Sequence, residues 1–173
     1  VRLMAVARYG NPLDPETSIG PLARTDLRDE LHLQVVKSQK MGAKVLLGGF
    51  IPDTNVPFYP PTVLEDVVSG MPAYHEELFG PVAVLFRVKT EEEAIRIAND
   101  TVFGLGAGVY TSDLNKGKLL AEKGLDAGCV FVNDFVKSDP RLPFGGIKES
   151  GYGRELSLIG IREFVNLKTI VVK

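Results

Sequence analysis

The chain has 173 residues and a net charge of −2, enough polypeptide for a domain with a real core. Lys and Arg are scattered among acids with no basic block interleaved with aromatics, which argues against nucleic acid as a partner. Apolar runs are strand-sized, no small-residue cleavage site follows the N-terminal stretch, and a single cysteine rules out an internal disulfide, so a membrane role is not expected and a reducing, cytoplasmic setting is.

In chain order, Leu3, Met4, Val6 and Ala7 read as the end of a helix, and a chain opening inside an element is expected to belong to a longer one. Residues 11–21, with three prolines, read as an irregular connector. Thr25 or Asp26 is expected to cap a helix to about Met41, with Leu27, Leu31, Val35 and Ser38 on its buried face and Gly42 ending it. A short strand at 45–47, a loop to residue 61, a strand of mixed exposure over 61–68 and an irregular stretch over 69–80 follow. From Val82 the pattern alternates: a strand over 82–88, a helix opened by the capping box Thr90 and Glu93, a strand over 105–110, a helix from Asp113 to Lys123, and a strand over 128–133. Such alternation predicts an α/β fold with a mostly parallel sheet and flanking helices, with a ligand site beyond the strand ends. A helix over 156–162 and a long strand over 164–172 complete the chain; we read 1–155 as one domain and 156–173 as a terminal helix and strand. A terminal strand needs a neighbour for its free N–H and C=O groups, either within the chain or outside it.

The stretch 133–155, NDFVKSDPRLPFGGIKESGYGRE, is the focus of the functional reading. Glycines at 145, 146, 151 and 153 give more backbone freedom than a helix or strand uses. The loop is either a set of surface turns or a wall that presents Phe144 to a pocket. On residues alone, Glu76 to Phe79 read as a solvated acid pair beside a core phenylalanine, and Ser138 as a loop serine facing water. His32 and His75 are far apart, and no spacing of Cys, His and acids resembles a metal site.

PFGGIKESGYGRE at 143–155, ten residues after the asparagine of GCVFVN, resembles a signature of the NAD(P)-dependent aldehyde dehydrogenases. EELFGPV at 76–82 and GNPLDPETSIGPL at 10–22 resemble two more, in the right order and covering nearly the whole chain. The resemblance implies the C-terminal part of the catalytic domain, with NAD or NADP as cofactor. It assigns Glu77 to the ribose hydroxyls beside the nicotinamide, which suits a carboxylate that accepts from two donors, and Phe79 to the neighbourhood of the nicotinamide ring.

Within the family, Ser138 falls where succinate-semialdehyde dehydrogenases bind the substrate's distal carboxylate, with Phe144 as the pocket wall. Lys137 and Arg141 beside it would add positive charge. The family's reaction runs through a thiolate that attacks the aldehyde carbon, with hydride leaving to the nicotinamide and water then hydrolysing the thioester. Cys129 lies inside an apolar strand, where a free cysteine behaves as a small hydrophobe, so the nucleophile, the general base and the glycine-rich cofactor turn are expected before residue 1 and no catalytic residue is assigned here. The terminal strand is expected to pair with another subunit in a homo-oligomer. The alternative is a non-catalytic assembly module that docks with intact subunits and turns over no aldehyde.

Overall fold

The computed structural model describes residues 1–173, which divide into two compact units, Val1–Arg87 and Val88–Lys173. The first unit contains α1 (Arg2–Ala5), α2 (Thr25–Lys40), β1 (Lys44–Leu47), β2 (Thr62–Glu65), α3 (Pro72–His75) and β3 (Val82–Leu85). Its sheet runs β1-β2-β3, antiparallel then parallel.

Helix α2 is capped one residue before the first position expected, Thr25. Arg24 is the N-cap and offers no side-chain capping bond. Its guanidinium instead grips Asp26 through Nε–Oδ1 and Nη2–Oδ2 contacts of 2.9 Å each, leaving that carboxylate in the first turn, where the helix dipole favours it. Leu31, Val35 and Ser38 are buried as the periodicity predicts, but Arg28 is buried rather than Leu27, which is half-covered. Arg28 is buried with its guanidinium bonded to Asp29. Ser38 is fully satisfied: Oγ donates to the Gln34 carbonyl and accepts from Ala73 N–H, both at 2.9 Å, tying α2 to α3.

The strand expected to show mixed exposure is buried at every position of β2, because it is the central strand and both its faces are covered. The stretch 69–80, expected to be irregular, contains the single turn α3, started by Pro72 at a position where its missing N–H costs nothing. Tyr59, Leu31, Leu64 and Val35 form the centre of the core.

The second unit contains α4 (Glu91–Asn99), β4 (Phe103–Gly104), β5 (Gly106–Val109), α5 (Leu114–Leu119), a π-helical turn (Leu120–Gly124), β6 (Cys129–Val132), β7 (Ile147–Lys148) and α6 (Ser157–Glu163). Both predicted caps form. Thr90 accepts from Glu93 N–H, while Glu93 reaches back to Lys89 N–H, one residue beyond the reciprocal pattern. Asp113 accepts from Lys116 N–H at 3.0 Å. Strands β5 and β6 pair in parallel, and β4 and β7 antiparallel. The α/β class with parallel pairing therefore holds, with the strands divided among three small sheets.

The expected strand over 164–172 is not formed within the single chain. No segment of the chain pairs with it, and Phe164, Leu167, Ile170 and Val171 are exposed. No helix is long and apolar enough to cross a membrane.

Candidate functional site

In the first unit, the chain leaves α3 through the extended C-cap Glu76 and passes the middle of α2, at Gln34 and Leu31. Leu78 packs against the core, whereas Glu77 and Phe79 on either side of it are exposed, the ring at 69%. Gly80 follows because the backbone passes directly over the Leu31 side chain, where any Cβ would collide. The two acids differ. Glu76 accepts from Gln34 Nε2 at 2.8 Å, and the same amide group donates to the Glu77 carbonyl, so the backbone is pinned while the Glu77 carboxylate has no partner. A free carboxylate and a bare ring, held by a half-buried leucine between them, form a donor-hungry edge beside an apolar surface. That combination fits a ribose diol and a flat heteroaromatic ring.

In the second unit the loop is launched by Asn133, which sits in the left-handed region at φ 58°. Its side-chain amide accepts from Thr111 N–H at 2.8 Å and donates to Thr111 C=O at 2.9 Å, extending the β5–β6 pairing by one rung. In the sequence Asn133 only ends an apolar run; its role as a clamp depends on Thr111, two residues past β5. The loop then carries two ion pairs, Lys137–Asp134 and Arg141–Asp139, both at 2.6 Å. Asp139 also accepts from Arg141 N–H at 2.9 Å, and these contacts hold its carboxyl well below the usual range. The expectation that Lys137 and Arg141 supply free positive charge is therefore corrected: each is neutralised by a loop acid. Ser138, between the pairs, is exposed and its hydroxyl has no partner.

Phe144 closes the loop. Its N–H and C=O both bond Glu155, at 2.9 and 2.8 Å. Its half-buried ring lines an open cleft of about 360 Å³ with Leu105, Ser150, Arg154, Glu163 and Phe164. Ser138 shares the loop with Phe144 but does not line that cleft. A larger apolar cleft of about 510 Å³, between α4, β5 and the π-helical turn, holds none of the sequence-predicted residues.

Cys129 is half-buried in β6, with its thiol directed at the Gly145 carbonyl 3.8 Å away. Gly128, just before it, lies against that same carbonyl, so strand and glycine loop are packed backbone on backbone. His75 Nε2 accepts from Gly70 N–H at 3.0 Å, within its own turn, and His32 Nδ1 lies 3.2 Å from the hydroxyl of the core residue Tyr59. No group of three His, Cys, Asp or Glu side chains is placed to hold a metal ion.

A model of the aldehyde dehydrogenase family matches residues 1–170. The NAD(P)+-linked succinate semialdehyde dehydrogenase Sad of Escherichia coli is 46% identical over 170 residues, 98% of this chain and 37% of that protein. The NADP+-linked succinate-semialdehyde dehydrogenase 1 of Mycobacterium bovis is 48% identical over 98% of this chain and 37% of its own length. Among solved structures, the succinic semialdehyde dehydrogenase of Streptococcus pyogenes with NADP+ matches with a TM-score of 0.94 at 38% identity, covering 99% of this chain and 37% of that one. Betaine aldehyde dehydrogenase of Staphylococcus aureus with NAD+ matches at 0.89 and 34% identity, covering 95% and 33%. The chain thus spans little more than a third of the length of these relatives. With the match running across both units, the chain belongs to the aldehyde dehydrogenase family.

Proposed function

We propose that this chain forms the nicotinamide-side and substrate-side part of an NAD(P)-dependent aldehyde dehydrogenase that oxidises succinate semialdehyde to succinate. The observation that carries the reading is the Glu77–Leu78–Phe79 strip, in which a pinned backbone presents an unpartnered carboxylate and a bare ring side by side. Glu77 would hold the ribose hydroxyls and Phe79 would flank the nicotinamide, which when bound accepts the hydride from the aldehyde carbon. Ser138 would donate to the distal carboxylate of the substrate, and Phe144 would wall the pocket. With both loop cations already paired, selection for an anionic aldehyde would rest on this hydroxyl rather than on net charge. The reactive thiolate is assigned to polypeptide other than these 173 residues, because the Cys129 thiol faces a backbone carbonyl inside β6. A single free cysteine suits a cytoplasmic setting.

The test is a chimaera in which this chain follows the preceding residues of the E. coli relative. Ser138→Ala is expected to raise KM for succinate semialdehyde about tenfold, the loss of one hydrogen bond to a charged group, with hexanal unaffected. An unchanged KM would remove Ser138 from the substrate site. The 173-residue chain alone is expected to show no NAD(P)-linked turnover.

A second reading, a non-catalytic assembly module, is favoured by the exposed tail: Val165, Leu167, Thr169 and Val171 alternate as one face of a strand but have no ladder here. The two readings are compatible if the tail pairs with a second subunit. Sedimentation of the chain with and without residues 164–173 separates them from a monomeric tail.

A further inference from the structure

Ser138 and Phe144 make few contacts of their own, yet both are tied to the same short helix. Phe144 is joined to Glu155 by two backbone hydrogen bonds. The Glu155 backbone in turn lies against Gly160 of α6, where a Cβ would come within 2.6 Å of the Glu155 carbonyl carbon and 3.0 Å of its Cα. Only a glycine lets α6 seat this deeply, and Gly160 is the one buried residue of the helix.

The second tie reaches the other end of the loop. Pro140, two residues after Ser138, accepts from Ser157 N–H at 3.0 Å. To aim that N–H, the chain turns through two successive non-glycine residues in the left-handed region, Leu156 at φ 62° and Ser157 at φ 56°. A leucine there is strained, and such strain persists only where surrounding contacts over-determine it. Gly160 N–H donates to the Leu156 carbonyl at 2.8 Å and closes the turn. Within the loop, Leu142 N–H bonds the Asp139 carbonyl at 2.9 Å, so Pro140 sits inside a closed turn that Ser138 directly precedes.

We propose that Ser157 and Gly160 are positioning residues, and that the first turn of α6 braces Ser138 and Phe144 from behind, fixing their relation to each other. The link to substrate rests on the function proposed above; the brace itself does not.

Native-state hydrogen exchange on the 173-residue chain tests the brace without any substitution. The amides of Phe144, Glu155, Ser157 and Gly160 are expected to converge on one opening as urea is raised. Gly160→Ala is expected to reduce protection at Phe144 and Glu155 about tenfold or more, leaving unchanged the Thr62 amide of the first unit, which bonds Pro81. Ser157→Gly keeps both the N–H and the left-handed φ and is expected to leave protection intact; if Gly160→Ala does not fold, the urea series on the unsubstituted chain decides.

Protection at Phe144 and Glu155 that survives the opening of α6 overturns the brace. In the chimaera, Gly160→Ala is expected to raise KM for succinate semialdehyde about tenfold with kcat within about twofold, and to spare hexanal; equal losses on both aldehydes overturn the positioning role. If Ser138→Ala leaves KM unchanged while the exchange result holds, the substrate assignment fails and the brace stands.

Discussion

The two units solve the problem of holding a site in different ways. Every fully buried apolar side chain belongs to the first, from Leu31 and Val35 on α2 to Val63 and Leu64 on β2. In the second the buried positions are glycines, 104, 117, 146 and 160, and the strand side chains are at most half-covered. The first unit is therefore stabilised by area removed from water, at about 25 cal/mol per Å². The second relies on close backbone approach, two capped helices and paired loop charges. Glu77 and Phe79 stand on a side-chain core; Ser138 and Phe144 stand on a lattice of backbone contacts. The contrast teaches that a loop can be placed firmly with little apolar burial of its own, provided glycines admit the neighbouring chain.

Truncating the centre of each unit is the strongest way to break that contrast. Leu64→Ala is expected to cost roughly 2–5 kcal/mol in urea unfolding, because a rigid, fully buried site cannot collapse around the void. Val130→Ala, on the half-covered strand β6, is expected to cost under about 1.5 kcal/mol. Equal costs would mean that the second unit has a side-chain core after all. The converse experiment adds a methyl where backbones meet. Gly104→Ala would set a Cβ 2.6 Å from Ile147 Cγ1 and 3.2 Å from the Asp126 carbonyl, with an expected loss of about 1–3 kcal/mol by the same measurement. A neutral result would remove close approach as the source of the second unit's order.

Much of the local structure was legible because its causes are local. Thr90 and Asp113 cap their helices through bonds three residues long, and the α2 face follows from 3.6-residue spacing. What escaped depends on partners distant in sequence. Arg28 takes the buried place expected of Leu27, with its guanidinium bonded to Asp29. The full burial of β2 follows from β1 and β3 flanking it. Asn133 reads as an ordinary strand end until Thr111 is placed beside it. For the candidate site, Glu77 and Phe79 could be named from their signature, but that Glu76 and not Glu77 is occupied depends on Gln34 in α2. Likewise, opposite charges three and two residues apart along a loop do not pair by periodicity, so the neutralisation of Lys137 and Arg141 was not foreseen.

The smallest expected effect distinguishes the units by acid. His32 is half-buried against Tyr59, and burial pushes its pKa below the ordinary 6.5, with Asp29 pulling it up and Arg28 pressing it down. The unfolded chain therefore binds a proton that the folded chain holds off. Its contribution to stability is complete above about pH 6.5 and is lost as pH falls through the window below that value. In the second unit, Asp134 and Asp139 are depressed chiefly by their hydrogen bonds from Lys137 and Arg141, so their contribution is present above about pH 4 and lost only below it. Asp26, held down by Arg24, titrates with them although it belongs to the first unit. Between pH 6.5 and 5 the first unit should soften while the second does not, as read by exchange at Thr62 against Phe144. His32→Gln, which cannot take a proton, should flatten that response. A slope that persists in the variant would place the sensitive group elsewhere and remove the side-chain core as the origin of the difference.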